Sequence, residues 1–180
     1  KKMGFASKNT QVNGRDHAHC ILTTLRENLV GGPTAVLYPT KLIKKALDYD
    51  PTFSQFADFE YWIRLLAFGD LVYLHKPLCS FRQHASSNTS AAIRDGRFIT
   101  EIFALITKYY DNAEYVKIFA LTSHDRKNVT QQKTLDTLKN VKDLFVEGKL
   151  AQARRYFAKL NQQVPLDKMT RSIMEFLLKK

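Results

Sequence analysis

Asp58, Trp62, Arg82 and His84 bring a carboxylate, an indole, a guanidinium and an imidazole into one short stretch of an otherwise unremarkable sequence. Asp58 and Trp62 stand four residues apart, as do Glu60 and Arg64. On a helix the first pair shares one face and the second forms an i,i+4 ion pair on another. Arg82 and His84 alternate with Phe81 and Gln83 in a segment that reads as the end of a strand, so both cations project from the same side. A carboxylate facing two cations can take a proton while the cations hold a developing negative charge.

Each of these residues also has a structural role open to it. Asp58 can cap the N-terminus of its helix, where a negative charge suits the dipole. A single histidine near a strand end is commonly a satisfied structural residue, Trp62 fits a core position better than an acceptor platform, and Arg64 is expected to pair with Glu60 or Asp70. His17-x-His19-Cys20 carries ligand types suited to zinc, but residues two apart on a helix point about 200° apart and no Cys-x-x-Cys accompanies them, which argues against a zinc site.

The elements around these residues are predicted as follows. A helix over 15–27 buries Ala18, Ile21, Leu22 and Leu25. It is followed by the turn Gly31-Gly32-Pro33, a strand over 34–38, and a short helix over 41–47 capped by Thr40. A helix over 58–68 and strands over 71–74 and 78–82 complete the first part. The polar run Ser86 to Ser90 marks a boundary. Beyond it the pattern is helical, with apolar periodicity over 91–123, a helix over 131–146, a break at Glu147-Gly148-Lys149, a helix over 150–160 and a last helix from Pro165 to Leu178. Phe145, Gly148, Ala151, Ala153, Tyr156 and Phe157 resemble one tetratricopeptide-like hairpin. Such a hairpin cannot bury both its faces alone and must pack on preceding helices or on a partner.

The stretch from about residue 14 to 90 resembles the second half of the family 2 glycosyltransferases, inverting enzymes of GT-A fold. The similarity rests on Gly31-Gly32-Pro33-Thr34 before the apolar run Ala35-Val36-Leu37, on Asp58-Phe59-Glu60-x-Trp62-x-Arg64, on Gly69-Asp70, on Leu71-Val72-Tyr73-Leu74 with Pro77-Leu78, and on Arg82-x-His84-x-Ser86. Ala57 departs from the family's glutamate before the catalytic aspartate, and an Asp-x-Asp in a strand-helix context is not found.

The resemblance implies an α+β chain: an incomplete GT-A-like acceptor-side half over residues 1–90, with a short mixed sheet and helices, and an all-helical region over 91–180. It implies a bacterial-type enzyme of cell-surface polysaccharide synthesis that transfers a sugar from a nucleotide-sugar donor to a glycan or lipid-linked acceptor hydroxyl. Asp58 would be the general base, with Arg82, His84, Trp62 and Gly32 binding substrate. His84 would also reach a divalent Mg or Mn ion in a full-length parent that supplies the nucleotide-binding half. The chain by itself is then expected to be inactive.

Composition sets the remaining bounds. With 180 residues, 44% of them hydrophobic, the chain is about one domain long and can bury a core. Its net charge is +11, and residues 124–180 hold 13 Lys or Arg against 6 Asp or Glu, an excess of +7 that leaves +4 for the rest. A basic tail of this kind is first a solvated surface, and it also suits an anionic membrane surface or a phosphorylated substrate. The Lys-poor surroundings of the aromatic residues between 98 and 119 argue against nucleic acid. A noncatalytic module docking on a protein partner or an anionic membrane is therefore the alternative function. Two lone cysteines fit a reducing compartment, and no apolar stretch approaches the ~20 residues of a spanning helix. A cytoplasmic chain, at most peripheral at the inner face of the membrane, is expected.

Overall fold

The structure, a computed structural model, describes residues 8–26, 28–46, 48–80 and 87–178. Of the described residues, 66% are helical. Strand β1 (Thr10–Val12) precedes helix α1 (Gly14–Thr24), two short 3-10 turns (Pro33–Ala35 and Thr40–Leu42), α2 (Ile43–Ala46), α3 (Ala57–Leu66) and strand β2 (Leu71–Tyr73). The helices α4 (Asn88–Asp95), α5 (Arg97–Tyr110), α6 (Ala113–Ile118), α7 (Ser123–Val146), α8 (Leu150–Gln163) and α9 (Lys168–Leu178) follow.

The expected α+β half with a mixed sheet is not what forms. Among the described residues the sheet is one antiparallel pair, with Thr10 opposite Tyr73 and Val12 opposite Leu71. The predicted strand over 34–38 becomes a 3-10 turn followed by extended backbone, because Pro33 at the first position favours a turn. Leu37 then stands 99% exposed, so the apolar run Ala35-Val36-Leu37 is not a core strand. Residues 78–80 have no regular structure, and 81–86, where Arg82 and His84 fall, lie outside the described residues. β2 instead pairs with residues 10–12, and the pairing is anchored by Asp70, whose carboxylate accepts the Gly14 N–H at 3.2 Å and the Gln11 side-chain N–H at 2.9 Å.

Helix boundaries follow their caps. Asn13 accepts the Asp16 N–H at 3.1 Å to start α1, and Leu25 ends it in the left-handed region. Thr40 caps no helix; it opens a 3-10 turn that runs into α2. Helix α7 begins at Ser123, earlier than the predicted 131, because Thr122 and Asp125 form a reciprocal capping box. Gly148, at φ 74°, supplies the left-handed turn between α7 and α8.

The core is one cluster of apolar side chains drawn from both halves of the sequence, including Ile21 and Leu22 of α1, Ile63 of α3, Leu105 of α5, Val141 of α7 and Leu160 of α8. α1 lies on α3 and α7, while α5 lies on both α7 and α8. The predicted hairpin is therefore present, as α7 and α8, and packs on the preceding helix α5. With 24 and 14 residues its two helices exceed the ~34-residue tetratricopeptide unit. Among the described residues no helix is long and apolar enough to cross a membrane.

Candidate functional site

Helix α3 carries Asp58 and Trp62, and every residue from Phe59 to Leu66 is buried. A helix buried on all sides sits at the centre of its fold, so its polar groups must find partners inside the protein. Glu60 and Arg64 do so. Arg64 Nε lies 2.8 and 3.0 Å from the two Glu60 carboxylate oxygens, and its Nη2 donates to Glu60 Oε2 at 2.8 Å and to the Asp48 carbonyl at 3.0 Å. Nη1 donates to the Ala46 carbonyl. The pairing of Arg64 with Glu60 agrees with their spacing. Its attachments bind α3 to the chain leaving α2 rather than to the strands.

Two further groups reach Glu60 from α5. Lys108 Nζ stands 2.7 Å from Glu60 Oε1 and 2.6 Å from Asp50 Oδ2, and the Tyr109 hydroxyl donates to Glu60 Oε1 at 3.0 Å. Burial and the Glu60 charge push the Tyr109 phenol well above its ordinary range.

The N-terminus of α3 has no cap of its own: Phe56 occupies the N-cap position and offers no side-chain acceptor. The acceptor comes from α5. The Glu101 carboxylate receives the N–H groups of Ser54 at 3.1 Å, Gln55 at 2.8 Å and Phe56 at 2.9 Å, together with the Ser54 hydroxyl at 2.7 Å. Glu101 was not identified from the sequence. An acid three residues after Phe98 and four before Leu105, on the apolar face of a helix, is the signal that would have found it.

Asp58 sits one residue into α3, half-buried, with Oδ1 accepting the Phe59 N–H at 2.7 Å. Burial raises its carboxyl above the usual carboxylate range, against the lowering effect of the backbone N–H groups at the helix start. It satisfies the neighbouring amide from inside the first turn and does not occupy the expected cap position, which Phe56 holds. Tyr49 is close enough for the Asp58 charge to raise its phenol, after burial, and its ring stacks on Tyr61 at 4.4 Å between centroids. One turn along, Trp62 is buried, and its indole N–H donates to the Gly31 carbonyl at 2.9 Å. That bond ties the Gly31-Gly32 turn to α3. Gly32 has open space where a Cβ would stand, so no contact demands glycine there. Tyr38 closes the group, edge-on to Trp62 at 5.6 Å. Trp62 is thus joined to the Gly31-Gly32 turn and stands one turn after Asp58 on α3; Arg82 and His84, which were to face Asp58, lie outside the described residues.

His17 and His19 serve separate elements. His17 Nε2 is 3.1 Å from the Tyr73 hydroxyl, and His19 Nδ1 is 2.9 Å from the Phe119 carbonyl. Among the described residues no three His, Cys, Asp or Glu side chains converge as a metal cage, so no ligand set for the expected Mg or Mn ion can be assembled from them.

No family model, no curated protein and no solved structure matches the chain, and none therefore identifies a glycosyltransferase family.

Proposed function

We propose that this chain contributes the acceptor side of an inverting, nucleotide-sugar-dependent glycosyltransferase, with Asp58 as general base. The observation that carries the proposal is the half-buried Asp58 carboxylate of raised basicity at the head of α3, joined through α3 to an indole that holds the Gly31-Gly32 turn. Tyr38 and Tyr49 flank α3 beside it, and aromatic faces of this kind suit the apolar faces of sugar rings. In the reaction the acceptor hydroxyl oxygen attacks the anomeric carbon as Asp58 takes its proton. The bond from that carbon to the donor's diphosphate breaks, and the nucleoside diphosphate leaves with the electron pair. A divalent Mg or Mn ion, together with Arg82 and His84, would offset the charge of that leaving group.

The test is sugar transfer from a nucleotide sugar by the full polypeptide to which this sequence belongs, before and after Asp58→Asn. Loss of a proton-accepting group lowers turnover by roughly 10² to 10⁴; unchanged turnover in a folded variant removes the assignment.

A second function, noncatalytic docking on an anionic membrane surface, is favoured by α9. Met169 and Ile173 lie on its outer side, 73% and 47% exposed, on a helix that also bears Lys168 and Arg171. Co-sedimentation with anionic vesicles at low salt is expected if docking occurs, and its absence there eliminates this function.

A further inference from the structure

A cavity of about 260 Å³ opens where the end of α1, the head of α3, α5 and α7 meet. Asp58 is not among the residues that line it, so it is separate from the candidate base. One wall is apolar, built from Leu25, Phe56, Phe59, Phe98 and Ile102. The other is charged. Lys133 of α7, its side chain 11% exposed, places Nζ 3.1 Å from Asp136 Oδ2. Arg26, which the left-handed turn at Leu25 sets at the rim, also acts on Asp136 through its charge.

Among the described residues that line this hollow, two cations stand against one carboxylate, beside an apolar wall. Lys133, the desolvated cation of the two, is already paired with Asp136, so Arg26, exposed at the rim, is the cation left to meet an incoming anion. The volume falls just under the ~300–1,000 Å³ of ordinary ligand pockets, which suits a single ring or a short alkyl chain rather than a nucleotide. We propose that the cavity binds a small amphipathic monoanion, an aliphatic or aromatic carboxylate. Its apolar body lies on Phe59, Phe98 and Ile102, and its carboxylate meets Arg26.

Octanoate is a suitable probe, titrated into the whole chain and followed by calorimetry and by methyl resonances. Saturable binding is expected, with shifts at Leu25 and Ile102. Arg26→Glu reverses the charge at one exposed rim position and Asn140→Glu adds a negative charge at another, both leaving Lys133 and Asp136 themselves in place, and each should weaken octanoate about tenfold while leaving octanol binding unchanged. The proposal is overturned if octanoate does not saturate, if the folded variants bind it as well as the parent, or if the shifts fall outside the cavity.

Discussion

The Glu101 carboxylate of α5 accepts the Phe56 N–H at 2.9 Å and so performs the N-cap function that Phe56, at the cap position of α3, cannot. One side chain satisfies three consecutive amides at the entry to the helix that bears Asp58. Glu101→Ala leaves them without acceptors in a part-buried site. The expected loss is about 3 kcal/mol in a urea titration, and hydrogen exchange at Gln55 and Phe56 should accelerate ahead of global unfolding. Unchanged exchange there would show that water replaces the carboxylate at no cost.

Glu60, fully buried, is shared by Arg64, Lys108 and Tyr109. Glu60→Gln keeps the shape but leaves the cations of Arg64 and Lys108 without their common counter-charge. Breaking a buried pair from one side typically costs about 3–5 kcal/mol, so the variant should unfold at much lower urea than the parent. A loss below about 1 kcal/mol, of the size typical for surface pairs, would mean that the network is hydrated in solution.

Two nearby carboxylates should pull stability in opposite directions with pH. For Asp50, burial pushes upward, but hydrogen bonds from Lys108 and Thr52 and the Lys108 charge outweigh it and bring the group down to about 2 from 3.8. Its contribution is therefore complete above 3.8 and lost as pH falls from there toward 2. Asp58 is raised, so it favours the folded state while protonated and loses that contribution as pH climbs from 3.8 through its folded value. Asp50→Asn should flatten the acid limb of a stability profile. Asp58→Asn should leave that limb in place and raise the melting temperature at neutral pH. The same sign of change in both variants would contradict these environments.

Gly14 begins α1 hard against the end of α3. A Cβ there would fall inside contact distance of the Gly69 and Leu66 carbonyl oxygens, and both are backbone atoms that cannot swing aside. Gly14→Ala should therefore destabilise by about 1–3 kcal/mol, in the range of overpacked cores, despite alanine's better helix propensity. A stabilised variant would show that α1 can slide along α3 without cost.

Local pattern made much of the helical scaffold legible. The 3.6-residue periodicity places α1, α3, α5, the hairpin of α7 and α8, and α9, and the four-residue spacing of Glu60 and Arg64 anticipates their pair, because these depend on neighbours within one or two turns. The capping box of Thr122 and Asp125, which sets the start of α7, lies ahead of the helix predicted over 131–146. Strand pairing is a different matter. An apolar run such as Ala35-Val36-Leu37 looks the same whether or not another strand lies beside it, and three-residue β1 gives too little alternation to read. Among the described residues the sheet is one antiparallel pair, and the fold is mostly helical rather than the expected α+β.

For the candidate site, residue types and spacing alone placed Asp58 and Trp62 on one helix and pointed to a carboxylate available for proton transfer. Only the packed chain decided that α3 is buried on every side, that its cap comes from Glu101 some 45 residues away, and that Lys108 and Asp50 close the charge around Glu60. The physical reason is the same in each case. Burial and long-range hydrogen bonds are properties of which surfaces meet, and chain spacing carries no record of that until the helices have packed.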